Sequence, residues 1–171
     1  MEEGIVNKVA ESGIVSLDLA ELIPLYEVKA IDLKDQLWQG LALREADFRE
    51  WIKTADFSAY ADAVLGIHCS VDALIPHWAY MLLASKLEDV ARFIAEGTAA
   101  EAERAYIHTV IQAIHPENYS DQRVVVKGCG DRNLPPAAYI ALTTRLQPVV
   151  KTLMFGEPCS TVPVYKQKRK A

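Results

Sequence analysis

Two stretches of the chain decide its fold. Residues 64–97 read VLGIHCSVDALIPHWAYMLLASKLEDVARFIAEG, and residues 124–156 read VVVKGCGDRNLPPAAYIALTTRLQPVVKTLMFG. One gap between the cysteine and the aspartate aligns the two stretches, so that Cys69 matches Cys129 and Asp72 matches Asp131. Both then have the order strand, Cys, Asp, Pro, Ala-Tyr, helix, Leu, strand, Gly. This similarity indicates an internal repeat.

Each copy of the repeat predicts a strand, a helix and a second strand. Because Pro148 ends the second helix, its counterpart in the first copy should end at the matching point. A βαβ crossover is right-handed and makes its two strands parallel. The predicted elements are strands over 63–68 and 90–95 around a helix over 75–87, then strands over 123–127 and 149–155 around a helix over 135–146.

The rest of the chain completes an α/β fold. A helix over 98–114 joins the two copies, and Thr98 with Glu101 forms the pattern of a capping box at its start. Before the repeats, residues 26–33 and 37–43 predict a β-hairpin, and residues 45–53 predict a helix. We therefore expect a mostly parallel sheet from two repeated βαβ units, with an N-terminal hairpin and helix.

This organisation predicts one domain over residues 1–171, because the chain is of ordinary single-domain length. Its predicted parts are the N-terminal hairpin and helix region (1–62), the first repeat unit (63–97), the joining helix (98–114), the second repeat unit (123–156), and a cysteine loop with a basic tail (157–171).

Composition narrows the class of protein. Hydrophobic residues make up 51% of the chain and charged residues 24%, which is typical of a globular protein and argues against disorder. No apolar run approaches the roughly 20 residues that span a bilayer, and the acidic start lacks the pattern of a secretory signal. Net charge is −5, so nucleic acid is not the expected ligand. We expect a cytoplasmic protein without a membrane partner.

Each of the three cysteines comes after a predicted strand: Cys69, Cys129 and Cys159. Ligands of open α/β sheets bind at the carboxyl ends of the strands, so one parallel sheet would place all three thiols along one edge. Cys69 and Cys129 also precede helices, whose positive N-terminal dipole stabilises a thiolate. No Cys-x-x-Cys pair is present, which excludes the common zinc-finger and thioredoxin signatures.

Three interpretations of these cysteines stay open at this point. They pack the core as small apolar side chains, the setting in which free cysteine is most common. They bind a metal ion (zinc or iron) or an iron–sulfur cluster, with Asp72, Asp131, His68, His77 or Glu157 as a further ligand. They perform thiol chemistry such as sulfur relay or redox sensing. The two aspartates also suit helix capping, the usual role of an aspartate in a strand-to-helix loop.

Common enzyme signatures are absent from the sequence. It contains no Gly-x-x-x-x-Gly-Lys phosphate loop, no Gly-x-Gly-x-x-Gly fingerprint and no Gly-x-Ser-x-Gly elbow. The sequence therefore assigns no reaction, and whether the protein is an enzyme stays open.

Segments along nearly the whole chain resemble a bacterial family known as domain of unknown function 2480. The resemblance rests on LWQGL (37–41), DFRE (47–50), CSVDALIPHWAYMLLASKL (69–87), VVVKGCGD (124–131) and RLQPVVKTLMFGEPCSTVPVYK (145–166). It implies no established activity. It does imply an association with sulfur mobilisation and iron–sulfur assembly, so iron–sulfur assembly proteins are the expected partners.

The leading hypothesis from the sequence is an accessory protein of iron–sulfur or sulfur metabolism. Cys69, Cys129 and Cys159 would hold the metal ion or cluster, with Asp72 and Asp131 beside them. The alternative is a non-catalytic interaction protein whose cysteines only pack the core. A homodimer is expected from base rates alone.

Overall fold

The computed structural model describes residues 13–127, 133–157 and 160–168. Contacts between residues divide the chain into two units. The middle unit is residues 25–106, and the terminal unit combines residues 1–24 with residues 107–171. The prediction of one domain over the whole chain stays a prediction.

The middle unit contains a parallel sheet of three strands in the order β2, β5, β6. Helix α3 connects β5 to β6, and α2 precedes β5. A separate two-stranded hairpin, β3 with β4, lies between β2 and α2 in sequence. The bounds are β2 Val28–Asp32, β3 Leu37–Trp38, β4 Ala42–Leu43, α2 Glu45–Thr54, β5 Val64–His68, α3 His77–Leu87 and β6 Phe93–Glu96.

The terminal unit contains a sheet of four strands in the order β1, β7, β8, β9. The first three strands are parallel, and β9 runs antiparallel to β8. Helix α5 connects β7 to β8. The bounds are β1 Ile14–Asp18, α1 Leu19–Leu22, β7 Arg123–Lys127, α5 Pro136–Leu146, β8 Thr152–Glu157 and β9 Ser160–Lys166. Helix α4, Ala99–Gln112, passes from the sequence of the middle unit into that of the terminal unit.

Apolar side chains explain why each crossover packs on its sheet. In the middle unit, four successive residues of β5 are buried, and two of them, Leu65 and Ile67, belong to one buried cluster with Leu83 and Leu87 of α3. In the terminal unit, the valines of β7 are buried together with Leu142 and Leu146 of α5. Strands buried on both faces are typical of parallel sheets covered by helices.

The predicted N-terminal hairpin is wrong. Residues 28–32 do form a strand, but this strand pairs in parallel with β5 instead of pairing with residues 37–43. The polar residues after it form a 3₁₀ turn, Leu33–Gln36, with the buried Leu33 at its start. A hairpin forms within residues 37–43 because Gln39 and Gly40 both adopt positive φ, at 50° and 71°. Two such residues in succession make the tight turn that joins short antiparallel strands.

The mostly parallel α/β class is confirmed, but the strands belong to separate sheets instead of the one sheet that we expected. Strand β1 was not predicted, and β9 lies where a loop and tail were predicted.

The strands after the two crossover helices begin about three residues later than expected. The reason is a turn after each helix, in which the Val90 N–H donates to Leu87 (2.9 Å) and the Val149 N–H to Leu146 (3.0 Å).

The two strand–helix–strand segments share local geometry. Asp62 and Asp121 both adopt positive φ, 55° and 57°, immediately before the residues that lead into β5 and β7. Their N–H groups donate to the carbonyls of Val90 (2.8 Å) and Val149 (2.9 Å), which the sequence alignment also pairs. Gly97 and Gly156, another aligned pair, both have φ of 121°.

The strand registers differ from the sequence alignment by one residue. Val64 pairs with Phe93 in the middle unit, and Arg123 pairs with Thr152 in the terminal unit. Val64 is therefore equivalent to Arg123, whereas the sequence alignment matches it with Val124. Cys69 is the first residue after β5, but Cys129 is the second residue after β7. Three consecutive valines match an apolar strand equally well in either register, so sequence comparison alone does not detect the shift.

Candidate functional site

An open cleft lies at the carboxyl ends of β5 and β6 in the middle unit, with a volume of about 1080 Å³. The loop after β5, one side of α3 and the start of α4 complete its lining. This edge of a parallel sheet is where α/β proteins bind ligands. The polar side chains of the lining include His68, Cys69, Asp72, His77, Tyr80, Glu96 and Glu101.

The burial of β5 determines where the cleft residues begin. Its first four residues are buried, and His68 and Cys69 are the first residues that are partly exposed. The loop after them is held by Asp32, whose Oδ1 accepts hydrogen bonds from the N–H groups of Ser70 (3.0 Å) and Lys34 (3.1 Å). Hydrogen bonding, first with the Ser70 side chain and then with the backbone N–H groups of Lys34 and Ser70, lowers the pKa of Asp32 well below its usual value. Asp32 is therefore a charged anchor for the segment that contains Cys69.

Two glycines allow the wall of the cleft to approach β5. A Cβ atom on Gly66 would lie 2.5 Å from the carbonyl oxygen of Gly97 and 2.7 Å from that of Thr98. The backbone between β6 and α4 therefore crosses β5 at a distance that only glycine permits. The N–H of Gly97 donates to the carbonyl of Ile67 (2.9 Å), which holds this crossing in place.

The capping box predicted at the start of α4 is confirmed and lies in the cleft wall. The Thr98 N–H and hydroxyl donate to Glu101 Oε2 at 2.8 and 2.7 Å, and the Glu101 N–H donates back to Thr98 Oγ1 at 3.4 Å. The pKa of Glu101 is lowered, first by the Thr98 N–H, with smaller effects from Arg104 and His68. The Glu101 carboxylate thus occupies the N-terminus of this helix.

Several other polar side chains in the cleft make no hydrogen bond or ion pair within the part of the chain that the structure describes. They are His68, Cys69, Asp72, His77 and Glu96. Burial raises the pKa of Tyr80, and the nearby Cys69 and Glu96 raise it further, so these three side chains are close enough to interact. The cleft gathers polar groups that are free to bind a ligand.

The predicted metal site is only partly within the described residues. Cys69 is a half-buried free thiol, and Asp72 is exposed, and both line the cleft. Cys129, Asp131 and Cys159 lie outside the described residues. Among residues 13–127, 133–157 and 160–168, no group of three or more His, Cys, Asp and Glu side chains is arranged to hold a metal ion.

The expectation that one sheet edge bears all three cysteines depended on a single sheet. The described strands form separate sheets instead: Cys69 follows a strand of the middle unit, whereas in the sequence Cys129 and Cys159 follow strands of the terminal unit. That the three thiols share one site stays a prediction. His68 and His77, considered as metal ligands from the sequence, both line the cleft.

The sequence did not point to Glu96, which also lines the cleft. Its position at the end of the second predicted strand was the available signal, but that strand was expected to end one residue earlier.

The fold and the cleft define an α/β protein with parallel-stranded units, one of which has an open ligand-sized cleft at the carboxyl edge of its sheet. In the described residues, no helix has both the length and the apolar character needed to cross a membrane. A family model described as "Protein of unknown function (DUF2480)" matches residues 3–167, and the chain belongs to this family. No curated protein and no solved structure matches the chain.

Proposed function

We propose that this protein binds a small organic ligand in the cleft of the middle unit. The observation that supports the proposal is a set of polar side chains at the carboxyl ends of β5 and β6 that make no hydrogen bond or ion pair with any described residue: His68, Cys69, Asp72, His77 and Glu96. Unpaired polar groups that converge in a cleft of this size are the usual features of a small-molecule site. The apolar part of the lining, including Ile75 and Ile94, would bury the body of the ligand.

A pair of tryptophan substitutions on α3 tests this proposal. Ala84 lines the cleft, whereas its neighbour Ser85 is exposed and outside the lining. Ala84→Trp should fill the cleft, and Ser85→Trp should leave it open on the same helix. We expect a library of cationic, neutral and anionic fragments, screened by saturation-transfer NMR, to yield ligands for the wild type and for Ser85→Trp. Ala84→Trp should lose them.

Cys69 supplies a second readout of the same site. In a Cys129→Ser/Cys159→Ser background, Cys69 is the single thiol, and its alkylation by iodoacetamide can be followed by mass spectrometry. A fragment bound in the cleft should slow this alkylation several-fold. Fragments that bind Ala84→Trp as well as the wild type, and that leave the alkylation rate unchanged, would place binding elsewhere and refute the proposal.

A metal or iron–sulfur site at Cys129 and Cys159 is the second candidate. Strands β7 and β8 are parallel neighbours, so Lys127 and Glu157 end them at the same edge. Each of these two cysteines is the second residue after its strand in the sequence, and Asp131 lies close after Cys129. Thiolates just beyond neighbouring strand ends favour a shared zinc, iron or cluster site, with iron–sulfur assembly proteins as partners. A version with three thiolates also includes Cys69 and Asp72.

Anaerobic purification followed by elemental analysis and absorption spectroscopy tests this second candidate. We expect stoichiometric zinc, or iron with sulfide, in the wild type and its loss in Cys129→Ser and in Cys159→Ser. Retention of the metal in Cys69→Ser would support the two-thiolate version, and loss would support the three-thiolate version. Protein that stays metal-free after reconstitution with iron and sulfide would support the alternative that the cysteines only pack a non-catalytic interaction protein.

The remaining sequence-based expectations also stand as proposals: a cytoplasmic location, a homodimer, no nucleic-acid partner, and two strand–helix–strand segments, residues 63–97 and 123–156, that are copies of one repeat. The shared geometry at Asp62 and Asp121, and at Gly97 and Gly156, supports the repeat. Sedimentation and limited proteolysis would test the oligomeric state and the division into units.

A further inference from the structure

We infer that the ligand of the cleft in the middle unit is a small organic cation, an amine with an apolar body. This inference rests on the proposed function, because it names the ligand class of the same cleft. Three acidic side chains line the cleft, Asp72, Glu96 and Glu101, and the lining includes no Lys or Arg among the described residues. An anionic ligand such as a phosphate ester would meet charges of its own sign there.

The three acidic side chains are not equivalent. Glu101 already accepts two hydrogen bonds from Thr98 at its Oε2, so this carboxylate is engaged in the capping box. Asp72 and Glu96 have no hydrogen bond or ion pair within the described residues. These two carboxylates are therefore the ones available to a ligand. An ammonium group has three N–H donors, and it would satisfy them without displacing an internal bond.

The ion pairs elsewhere in the middle unit contrast with this arrangement. Asp62 binds Arg92 through two hydrogen bonds (2.9 and 2.6 Å), and Glu45 pairs with Arg49 at 2.9 Å. Neither cation lines the cleft. The carboxylates of Asp72 and Glu96 thus lie where no Lys or Arg of the described lining balances them, and a cationic ligand would supply the missing charge.

Apolar side chains in the same cleft indicate that the cation has an organic body. Val71 and Met81 line it and remain 45% and 71% exposed, although both side chains are apolar. Ile75, Ala84 and Ile94 extend this apolar surface. A bare metal ion would leave it uncovered, and no described group of side chains in the cleft is arranged to hold one. An alkyl or aromatic amine would cover it.

One feature of the cleft favours an anion instead. The N-terminus of α3, at His77, has no side-chain cap, and an uncapped helix start attracts negative charge. A test of the inference must therefore compare ligands of opposite charge and similar shape. 2-Phenylethylamine, 2-phenylethanol and 3-phenylpropanoate form such a set, because they share an aromatic body and differ in the charge of the end group.

Titration of the ¹⁵N-labelled full chain with each probe, followed by amide chemical shifts, measures binding at the cleft. We expect the amine to bind at least about tenfold more tightly than the alcohol or the acid. Glu96→Gln and Asp72→Asn should each weaken amine binding several-fold. Glu50→Gln is the matched control, because it removes an exposed carboxylate on α2 outside the cleft, and it should leave binding unchanged. Glu96→Lys should reverse the preference toward the acid.

The outcomes separate this inference from the proposed function. If the alcohol or the acid shifts the cleft resonances as strongly as the amine, the cationic class is wrong and the cleft is still a binding site. Amine binding that Glu96→Gln and Asp72→Asn leave intact would also overturn the inference. If none of the probes shifts these resonances, the inference fails. If the fragment screen also finds no ligand for the cleft, the proposed function fails with it.

Discussion

The middle and terminal units begin from the same local geometry and end differently. Both have a positive-φ aspartate before the central strand, a crossover helix, and a glycine with φ of 121° near the end of the next parallel strand. After Gly97 the chain continues into Thr98 and helix α4, and the start of this helix lines the cleft. After Gly156 the chain reaches β9, which pairs antiparallel with β8. The two units therefore differ in the segment after this glycine, which is a helix in the middle unit and an antiparallel strand in the terminal unit.

The strands before the two crossover helices, β5 and β7, also differ at one equivalent position. Gly66 of β5 pairs with Ala95, and the equivalent residue of β7 is Val125, which pairs with Met154. The crossing of residues 97–98 over β5 requires glycine at position 66, whereas β7 has the branched side chain of Val125 at the equivalent position.

The largest expected loss of stability comes from adding a side chain to Gly66, where the backbone of residues 97–98 crosses β5. Gly66→Ala would place a Cβ against two backbone carbonyl oxygens that cannot rotate away, so we expect a loss of about 3 kcal/mol of unfolding free energy. All three tryptophans (Trp38, Trp51 and Trp78) belong to the middle unit, so urea unfolding followed by tryptophan fluorescence reports on this unit.

Gly40→Ala is the control for this substitution. Gly40 also lies in the middle unit, and a Cβ there meets nothing within 4 Å. Its positive φ of 71° should lower the unfolding free energy by only about 1 kcal/mol. Equal losses in the two variants would show that the crossing at Gly66 has no special steric demand.

The aligned glycines should respond unequally to alanine. Both have a φ that residues with a side chain rarely adopt, so both variants should lose stability. The new Cβ at Gly156 would lie 2.6 Å from the backbone oxygen of Ser160, whereas at Gly97 it would meet the side chain of Glu101 at 2.9 Å. We expect a loss of about 3 kcal/mol for Gly156→Ala and about 2 kcal/mol for Gly97→Ala, because a side chain can move aside. Urea unfolding followed by circular dichroism measures both, and the reverse order would contradict this reasoning.

A substitution at Thr152 should raise the unfolding free energy, by less than the substitutions of Gly97 and Gly156 lower it. Its Oγ1 is buried and has no hydrogen-bond partner among the described residues, and the equivalent residue in the middle unit is the apolar Phe93. Thr152→Val removes the unsatisfied hydroxyl and keeps the branched shape, so we expect a gain of about 1 kcal/mol. Thr152→Ser keeps the hydroxyl and serves as the control, which should not be stabilised. An unchanged or lower unfolding free energy for Thr152→Val would indicate that the hydroxyl does have a partner.

The smallest effect concerns an exposed ion pair of the middle unit. Arg92 donates to Asp62 through two bonds and to the carbonyl of Leu25 (2.9 Å), whereas the equivalent Lys151 makes no side-chain bond within the described residues. Arg92→Met should lower the Tm slightly, and Lys151→Met should not change it. Exposed pairs contribute little, so a large drop in Tm for Arg92→Met would contradict this ranking.

The same pair has a defined pH dependence. The hydrogen bonds from Arg92 lower the pKa of Asp62 in the folded state. A lowered folded-state pKa stabilises the fold above the unfolded value near 4, and this contribution is lost as pH falls through the folded-state pKa. The difference in Tm between the wild type and Arg92→Met should therefore be constant above about pH 5 and shrink below about pH 4. A difference that grows on acidification would refute the pairing.

Local signals in the sequence predicted most of the elements. The bounds of the strand 123–127 are those predicted, because three consecutive valines favour a buried strand. The helix after Pro135 and the capping box at Thr98 and Glu101 obey equally local rules. The hairpin prediction failed because it chose a strand's partner from proximity in sequence. The actual partner of residues 28–32 is more than 30 residues away.

The candidate site was predictable only in part, for the same reason. His68, Cys69, Asp72 and His77 lie at or after one strand end, so local sequence pointed to them. Glu96 and Glu101 join them in the cleft because β6 pairs beside β5 and the next loop crosses Gly66. Neither fact is encoded within a short window of sequence.

The sequence by itself determined the place of most of the helices and of the valine-rich strand, because valine runs, prolines and capping residues act within a few positions of themselves. Only the tertiary structure decided that the strands belong to separate sheets and that the carboxylates of Asp72 and Glu96 share a cleft with Cys69. Strand pairing joins residues far apart in the chain, and it depends on which buried surfaces fit together. Neither requirement leaves a trace in the spacing of neighbouring residues.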